Sequence, residues 1–349
     1  MDTATATERA NATATLTPPL PRFLQVEAVG QCNLRCQMCA IQFRRDGPPH
    51  GPPAFMDFAL FQRLIDEFPG LERLQIQGLG EPMMHPRFFD MVELAVSRGI
   101  RVSTNTNLTY LNPRRAERCV TSGLDELHAS VDGATAATYE RIRVRAHFDQ
   151  VIGNLEGLVA ARRRLGRTLP RIRLVAVAMR QNLAELPDLV RLAHRLAIDT
   201  IFVQHLCHDF GESSLPSHYR PMRDFVEAET LLHEDYERVQ QVFDDALAAA
   251  RELGVDLRLP RTRPVDHPPG TPGPERCDWP WQGAYVSYQG LAMPCCMVGT
   301  PDRATLGDMA ADGASAVWNG DAYRAFRAAL SSDSPPEICR SCAIYSGTF

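Results

Sequence analysis

Six short apolar runs, spaced so that a helix fits between successive pairs, constrain this chain more than any other feature. They are FLQVEAV (23–29), RLQIQG (73–78), IRVSTN (100–105), ELHASVD (126–132), IRLVAVA (172–178) and TIFVQHL (200–206). Several are nearly continuous apolar runs, the pattern of parallel strands buried on both faces. The stretches between them are amphipathic. In FDQVIGNLEGLV, Phe148, Val151, Ile152, Leu155, Leu158 and Val159 recur at helical spacing. Six β–α units in order predict an α/β fold, a partial (βα)6 barrel of TIM type formed by a parallel sheet.

Other segments set the limits of this unit. Residues 1–22, Ala/Thr-rich and without an apolar signal region, read as a disordered tail ahead of a barrel spanning 23–234. Within it, 207–234 is loop-rich. Residues 235–276 combine a long helix (about 235–253) with a linker holding six prolines between 260 and 274. Residues 277–349 hold five of the ten cysteines and form a second, metal-stabilised module. No apolar run is long enough for a membrane helix. A net charge of −5 without a basic block argues against a nucleic-acid partner. These features place the chain in the cytoplasm, where cysteines serve as ligands or reactive thiols rather than disulfides.

Directly after the first run comes QCNLRCQMCAIQ, with Cys32, Cys36 and Cys39 within eight positions. A strand's C-terminal end is the active-site face of a barrel. Three close thiolates suit a [4Fe–4S] cluster with one iron left open. A zinc site borrowing a fourth ligand such as His50, or plain reduced thiols, also accommodates them.

The spacing C-x3-C-x2-C resembles the radical S-adenosylmethionine (SAM) superfamily. The resemblance implies that SAM chelates the open iron and is cleaved to methionine and a 5′-deoxyadenosyl radical, which abstracts hydrogen from substrate. Met38 stands where the family usually has an aromatic, a polarizable side chain still able to pack on adenine. Further stretches follow in the expected order. In QGLGEP, Gly78, Gly80 and Glu81 form the turn with which the family holds the SAM ammonium. In STNTN, Ser103, Thr104, Asn105 and Asn107 are able to reach ribose hydroxyls. In SVDG, Ser130 faces ribose or carboxylate, while Asp132-Gly133 reads as a turn. In YERIRVR, Arg141 and Arg143 each offer a fork for the SAM carboxylate. Each stretch alone also reads as an ordinary turn, polar loop or solvated helix face.

The C-terminal cysteines are Cys277, the adjacent Cys295 and Cys296, and the CRSC pair Cys339 and Cys342. Alone they suit a four-cysteine zinc knuckle. Their context resembles the SPASM extensions of radical SAM enzymes in a shortened, twitch-like form. It implies one auxiliary [4Fe–4S] cluster on Cys277, Cys295, Cys339 and Cys342, with the choice between Cys295 and Cys296 open. The expected cofactors are thus SAM and two [4Fe–4S] clusters. The expected partners are a small-molecule substrate and an electron donor such as flavodoxin or ferredoxin.

Cys119 reads as core. Cys207 ends the sixth run at the barrel mouth, with His205 and His208 beside it, where a thiol could return hydrogen to a substrate radical and the histidines could act as bases. Tyr219 and Arg220 are further pocket candidates. The architecture resembles sugar and aminocyclitol modifiers. Cys207 favours epimerisation of a polyhydroxylated natural product, closely followed by dehydrogenation with the auxiliary cluster as electron acceptor. Peptide maturation ranks third, since about 22 residues ahead of the first strand are too few for a leader-binding domain. A non-catalytic iron–sulfur or zinc protein is the remaining class.

Overall fold

The computed structural model describes residues 15–47, 51–206, 208–265 and 273–349. All six runs are strands: β1 (Phe23–Val26), β2 (Arg73–Ile76), β3 (Arg101–Thr106), β4 (Glu126–Ser130), β5 (Arg171–Val177) and β6 (Thr200–Gln204). They are parallel neighbours in chain order. The helices between them are α1 (Phe58–Glu67), α2 (Phe88–Ser97), α3 (Pro113–Thr121), α4 (Ala136–Ile142), α5 (Phe148–Arg164) and α6 (Leu186–Arg195). Local chemistry sets their starts. Asp57 accepts from the amides of Ala59 and Leu60 ahead of α1, and Asn112, followed by Pro113, caps α3 through the amide of Arg115.

The strands are not apolar on both faces, which corrects the sequence expectation. Leu24, Val26, Leu74, Ile76, Val102, Leu127, Ala129, Ile172, Leu174, Ala176, Ile201 and Val203 are buried. The alternate positions, among them Gln25, Gln75, Asn105, His128, Ser130, Arg173 and Gln204, line the concave face instead. A partial barrel needs apolar groups only under its helices, and its inner face is free to be polar.

The sheet does not stop at six strands. After the long helix Tyr236–Leu253, β7 (Asp256–Arg258) joins β6 in parallel, inside the segment read as linker. At the other edge β8 (Gly283–Val286) pairs in parallel with β1, and β9 (Leu291–Met293) and β10 (Gly307–Asp308) follow antiparallel. The ten-stranded order is β10-β9-β8-β1-β2-β3-β4-β5-β6-β7. The C-terminal segment therefore shares the barrel's sheet. Its last residues return to the opposite edge, where Phe349 packs on Phe202 with ring centroids 5.4 Å apart, and the Arg261 amide donates to the Thr348 carbonyl at 3.2 Å.

Residues 15–19 belong to this packing, although they fall in the expected tail. Trp281 Nε1 donates to the Thr15 carbonyl (2.8 Å), Trp318 Nε1 to that of Pro19 (3.0 Å) and Arg327 to that of Leu16 (2.9 Å). Residues 1–14, much of the proline-rich stretch (266–272), His50 and Cys207 lie outside the described residues. No described helix is long and apolar enough to cross a membrane.

Candidate active site

A cavity of about 510 Å³ opens at the C-terminal ends of the strands. Cys32, Cys36 and Cys39 line one side of it, together with Met38, Gly78, Gly80, Glu81, Asn105, Asn107, Ser130 and Arg143. Cys296, Met297, Val298 and Gly299 line it as well. His205, Leu206 and His208 complete its rim beside the sixth strand.

The cysteine loop is shaped to present sulfur. The Leu34 amide donates to Cys32 Sγ at 3.4 Å, and Asn107 Nδ2 approaches the same sulfur at 3.6 Å. Arg143 Nη1 lies 3.8 Å from Cys36 Sγ, and the Ile41 amide donates to Cys39. Burial holds all three thiols protonated, Cys39 up to about 12. Such thiols become thiolates only when a cation or cluster repays the charge.

Glu81 is buried and accepts from the Met83 amide (3.0 Å), Thr106 Oγ1 (2.8 Å) and the Asn107 amide (2.7 Å). Its carboxylate thus ties the Gly78–Glu81 turn to the end of β3. Gly80 is required there, because a Cβ would lie 1.9 Å from the Val29 carbonyl oxygen. Asn107 also donates to Asn33 Oδ1 at 3.0 Å, which binds it to the cysteine loop.

The two arginine candidates separate. Arg143 is buried, pairs with Asp132 at 2.7 Å and reaches the cavity. Arg141 is exposed, bonds Gln181 and stays outside. Asp132 is therefore more than a turn residue: it anchors the inward arginine and accepts from the Val177 amide at 2.8 Å. Ser103 lies one pleat below Asn105 and is not among the cavity's lining residues. Tyr219 is buried against Thr300 and Asp302, and Arg220 is exposed; neither reaches the cavity.

His208 is not arranged as a base. Its Nδ1 faces Arg303 Nη2 at 3.4 Å, and the ring bonds the Ile338 carbonyl. Burial, then the Arg303 charge, pushes its pKa down to about 3. The unfolded chain binds this proton below about 6.5 and the folded chain does not until about 3. Folding stability therefore falls as pH drops through that window, by up to about 1.4 kcal/mol per unit. In anaerobic urea unfolding, His208→Gln should flatten this dependence between pH 6.5 and 5 by about one proton; an unaltered slope refutes the assignment. His205 differs. Its Nε2–H donates to the Arg261 carbonyl at 2.7 Å, which makes Nδ1 the proton-accepting nitrogen, and burial keeps the ring neutral.

In the C-terminal segment Cys277, Cys295, Cys339 and Cys342 face one another closely enough for their charges to interact. Backbone amides point at their sulfurs: Trp279 at Cys277, Met297 and Val298 at Cys295, Ile344 and Tyr345 at Cys342. Cys296 lines the cavity, whereas Cys295 does not. Cys119 is buried in the core. The backbone N–H donors suit thiolate ligands, in an iron–sulfur cluster as in a zinc site.

Several site residues carried no motif. His128 lies on the inner face of β4, bonded to Asn105 Oδ1 and 3.5 Å from Glu126, which also pairs with Arg173 at 2.9 Å. Glu27 and Arg44 form a fully buried ion pair at 2.6 Å, and Glu27 also accepts from the Leu79 amide at 3.2 Å. A charged residue inside the apolar FLQVEAV run was the available signal.

Comparison with known proteins agrees with this geometry. The radical SAM superfamily model matches residues 26–193, and an iron–sulfur cluster-binding domain model, SPASM, matches residues 277–343. The chain belongs to the radical SAM superfamily. SAM and two iron–sulfur clusters are accordingly its cofactors.

A tungsten-containing aldehyde ferredoxin oxidoreductase cofactor-modifying protein from Pyrococcus furiosus is 30% identical over 190 residues, which is 53% of this chain and 51% of the relative. The PqqA peptide cyclase of Gluconobacter oxydans is 27% identical over 341 residues, 93% of this chain and 83% of the relative. The chain spans about half the length of the first curated relatives it matches. The crystal structure of Streptococcus suis SuiB bound to S-adenosylmethionine superposes with a TM-score of 0.66 at 16% identity, covering 97% of this chain and 74% of that one. That likeness is one of fold.

Proposed function

We propose that this radical SAM enzyme removes a hydrogen atom from a carbon of a neutral, hydroxyl- or amide-rich substrate and completes a two-electron oxidation. The observation that carries the proposal is one cavity lined by Cys32, Cys36 and Cys39 and also by the Cys296–Gly299 loop, which directly follows Cys295 of the second cysteine set in the chain. Bound SAM and its cluster supply the hydrogen-abstracting radical, and the auxiliary cluster supplies a one-electron acceptor. Glu81 and Arg143 hold the amino-acid end of SAM, and Asn105 and Ser130 face its ribose. His205 Nδ1 takes the proton released as the substrate is oxidised. The substrate loses one hydrogen atom, one proton and one electron, and the product is two hydrogens lighter.

The inner face supports a polar, neutral substrate. Gln25, Gln75, Gln77 and Gln204 line it, and Gln25 Nε2 donates to the Gln77 carbonyl at 3.1 Å. Amides both donate and accept, which suits sugar or aminocyclitol hydroxyls. A peptide is the other class they suit, and the near full-length likeness to a peptide cyclase favours it.

Epimerisation is the second reading, because Cys207 falls between the cavity-lining Leu206 and His208. Turnover in deuterated water, read by mass spectrometry on glycoside and peptide panels, separates the two. A product two hydrogens lighter, formed equally by Cys207→Ala, supports oxidation. One carbon-bound deuteron, lost in Cys207→Ala, overturns it in favour of epimerisation.

A further inference from the structure

We infer that Glu27, which does not line the cavity, is a positioning residue for SAM: it fixes the Gly78–Leu79 peptide so that the Gly78 carbonyl faces the cofactor's ammonium. The inference rests on the reading that the Gly78–Glu81 turn holds that ammonium.

Glu27 continues the inward alternation of Phe23 and Gln25 one step past β1, and its amide still bonds the Val286 carbonyl at 2.9 Å. Yet neither Glu27 nor Arg44 lines the cavity. The Gly78–Glu81 turn covers Glu27 instead, so closely that a Cβ on Gly78 would lie 2.3 Å from Glu27 Cγ. The Leu79 amide donates to Glu27 Oε1 at 3.2 Å. In a trans peptide the carbonyl points opposite to the N–H, so the Gly78 carbonyl is directed away from Glu27. Gly78 and Leu79 both line the cavity, and among the described residues no donor occupies that carbonyl. A free acceptor whose peptide plane is held from beneath suits an ammonium ligand.

The oxygen under Leu79 is itself held in place. Arg44 Nη1 bonds the same Oε1 at 2.6 Å, and Arg44 grips Asp46 through Nε and Nη2 at 2.5 and 2.7 Å. Arg44 closes the short helical turn Ala40–Phe43 that follows Cys39, its amide donating to the Ile41 carbonyl at 3.3 Å. Its guanidinium also lies 5.3 Å from the centre of the Tyr288 ring, just beyond β8. Glu27 is thereby tied to the cysteine loop and to the C-terminal segment.

Fold stability does not account for this pair. Burial works against the Glu27 charge, and Oε2 is buried with no hydrogen-bond partner among the described residues. Apolar residues of the same volume would carry neither cost. The oxygen that is satisfied is the one beneath Leu79.

The test uses the anaerobically reconstituted full chain with SAM as the ligand. Three variants separate reach from charge. Glu27→Met removes acceptor and charge, Glu27→Asp keeps the charge on a shorter arm, and Glu27→Gln keeps the acceptor at full reach without the charge. In all three Asp46 still pairs with Arg44. SAM affinity is read from the SAM-induced change in the EPR spectrum of the dithionite-reduced cluster. Hydrogen exchange of the peptide containing Leu79 is followed without SAM. Glu27→Met and Glu27→Asp should weaken SAM binding at least about tenfold and speed exchange at Leu79, with iron staying at about eight per chain. Glu27→Gln should remain within about threefold of wild-type affinity, with exchange unchanged. An ion pair serving stability alone predicts the reverse order, with Glu27→Asp closer to wild type than Glu27→Gln. SAM affinity within about twofold of wild type in Glu27→Asp, or an equal loss in Glu27→Asp and Glu27→Gln, overturns the inference. If Glu27→Met loses iron, the comparison of the other two variants decides alone. If the wild-type chain shows no SAM-induced change, the reading of the turn fails, while exchange at Leu79 still decides whether Glu27 orients its peptide.

Discussion

Cys295→Ala should lower the iron content of the reconstituted protein from about eight to about four per chain, and Cys296→Ala should leave it near eight. The adjacent cysteines diverge because the chain turns between β9 and β10. Cys295 faces Cys277, Cys339 and Cys342 and receives the Met297 and Val298 amides, whereas Cys296 lines the cavity. Replacing Cys32, Cys36 and Cys39 together should likewise leave about four irons, those of the other site, and abolish 5′-deoxyadenosine formation. Iron assay with anaerobic SAM cleavage checks both halves. An equal iron loss from Cys295→Ala and Cys296→Ala would mean that either sulfur serves as ligand, and the assignment would be withdrawn.

Arg303→Met should destabilise the protein by about 3–5 kcal/mol, as is typical when one partner of a buried ion pair is removed. Arg303 and Glu212 are 2% and 3% exposed and 2.6 Å apart. Arg303 also donates to the Val298 carbonyl at 2.9 Å, faces His208 and lies 4.3 Å above the Phe210 ring. One guanidinium thus joins the 208–212 segment to the loop between Cys295 and the cavity. The single variant leaves the Glu212 carboxylate buried without its counter-charge, and its cost should exceed that of the double variant Arg303→Met/Glu212→Gln. Anaerobic denaturant unfolding of both variants measures the difference. A cost below about 1 kcal/mol for Arg303→Met would mean that water already solvates the pair.

The sequence by itself determined the elements and the kinds of chemistry. Apolar runs at β–α spacing report strands because each must cover a helix, and all six appear in order. The spacing of Cys32, Cys36 and Cys39 reports a metal-binding loop because thiolates four and three residues apart share one loop. Glycines such as Gly80 report close backbone approach because no Cβ fits there.

Direction was left to tertiary structure. Arg141 and Arg143 are indistinguishable by residue type, yet Asp132, packed beneath, draws only Arg143 inward. Cys295 and Cys296 are adjacent, and only the surrounding amides and sulfurs decide which faces the cluster. His208 reads as a base in sequence, but the distant Arg303 and the Ile338 carbonyl engage its ring. The polar inner face was hidden because alternation within a strand does not reveal whether the second face meets helices or a cavity. Strands β7 and β8 join the sheet across large sequence separations, through backbone hydrogen bonds that carry almost no residue preference. Side-chain identity is written locally; burial, partner and orientation arise only when distant segments meet.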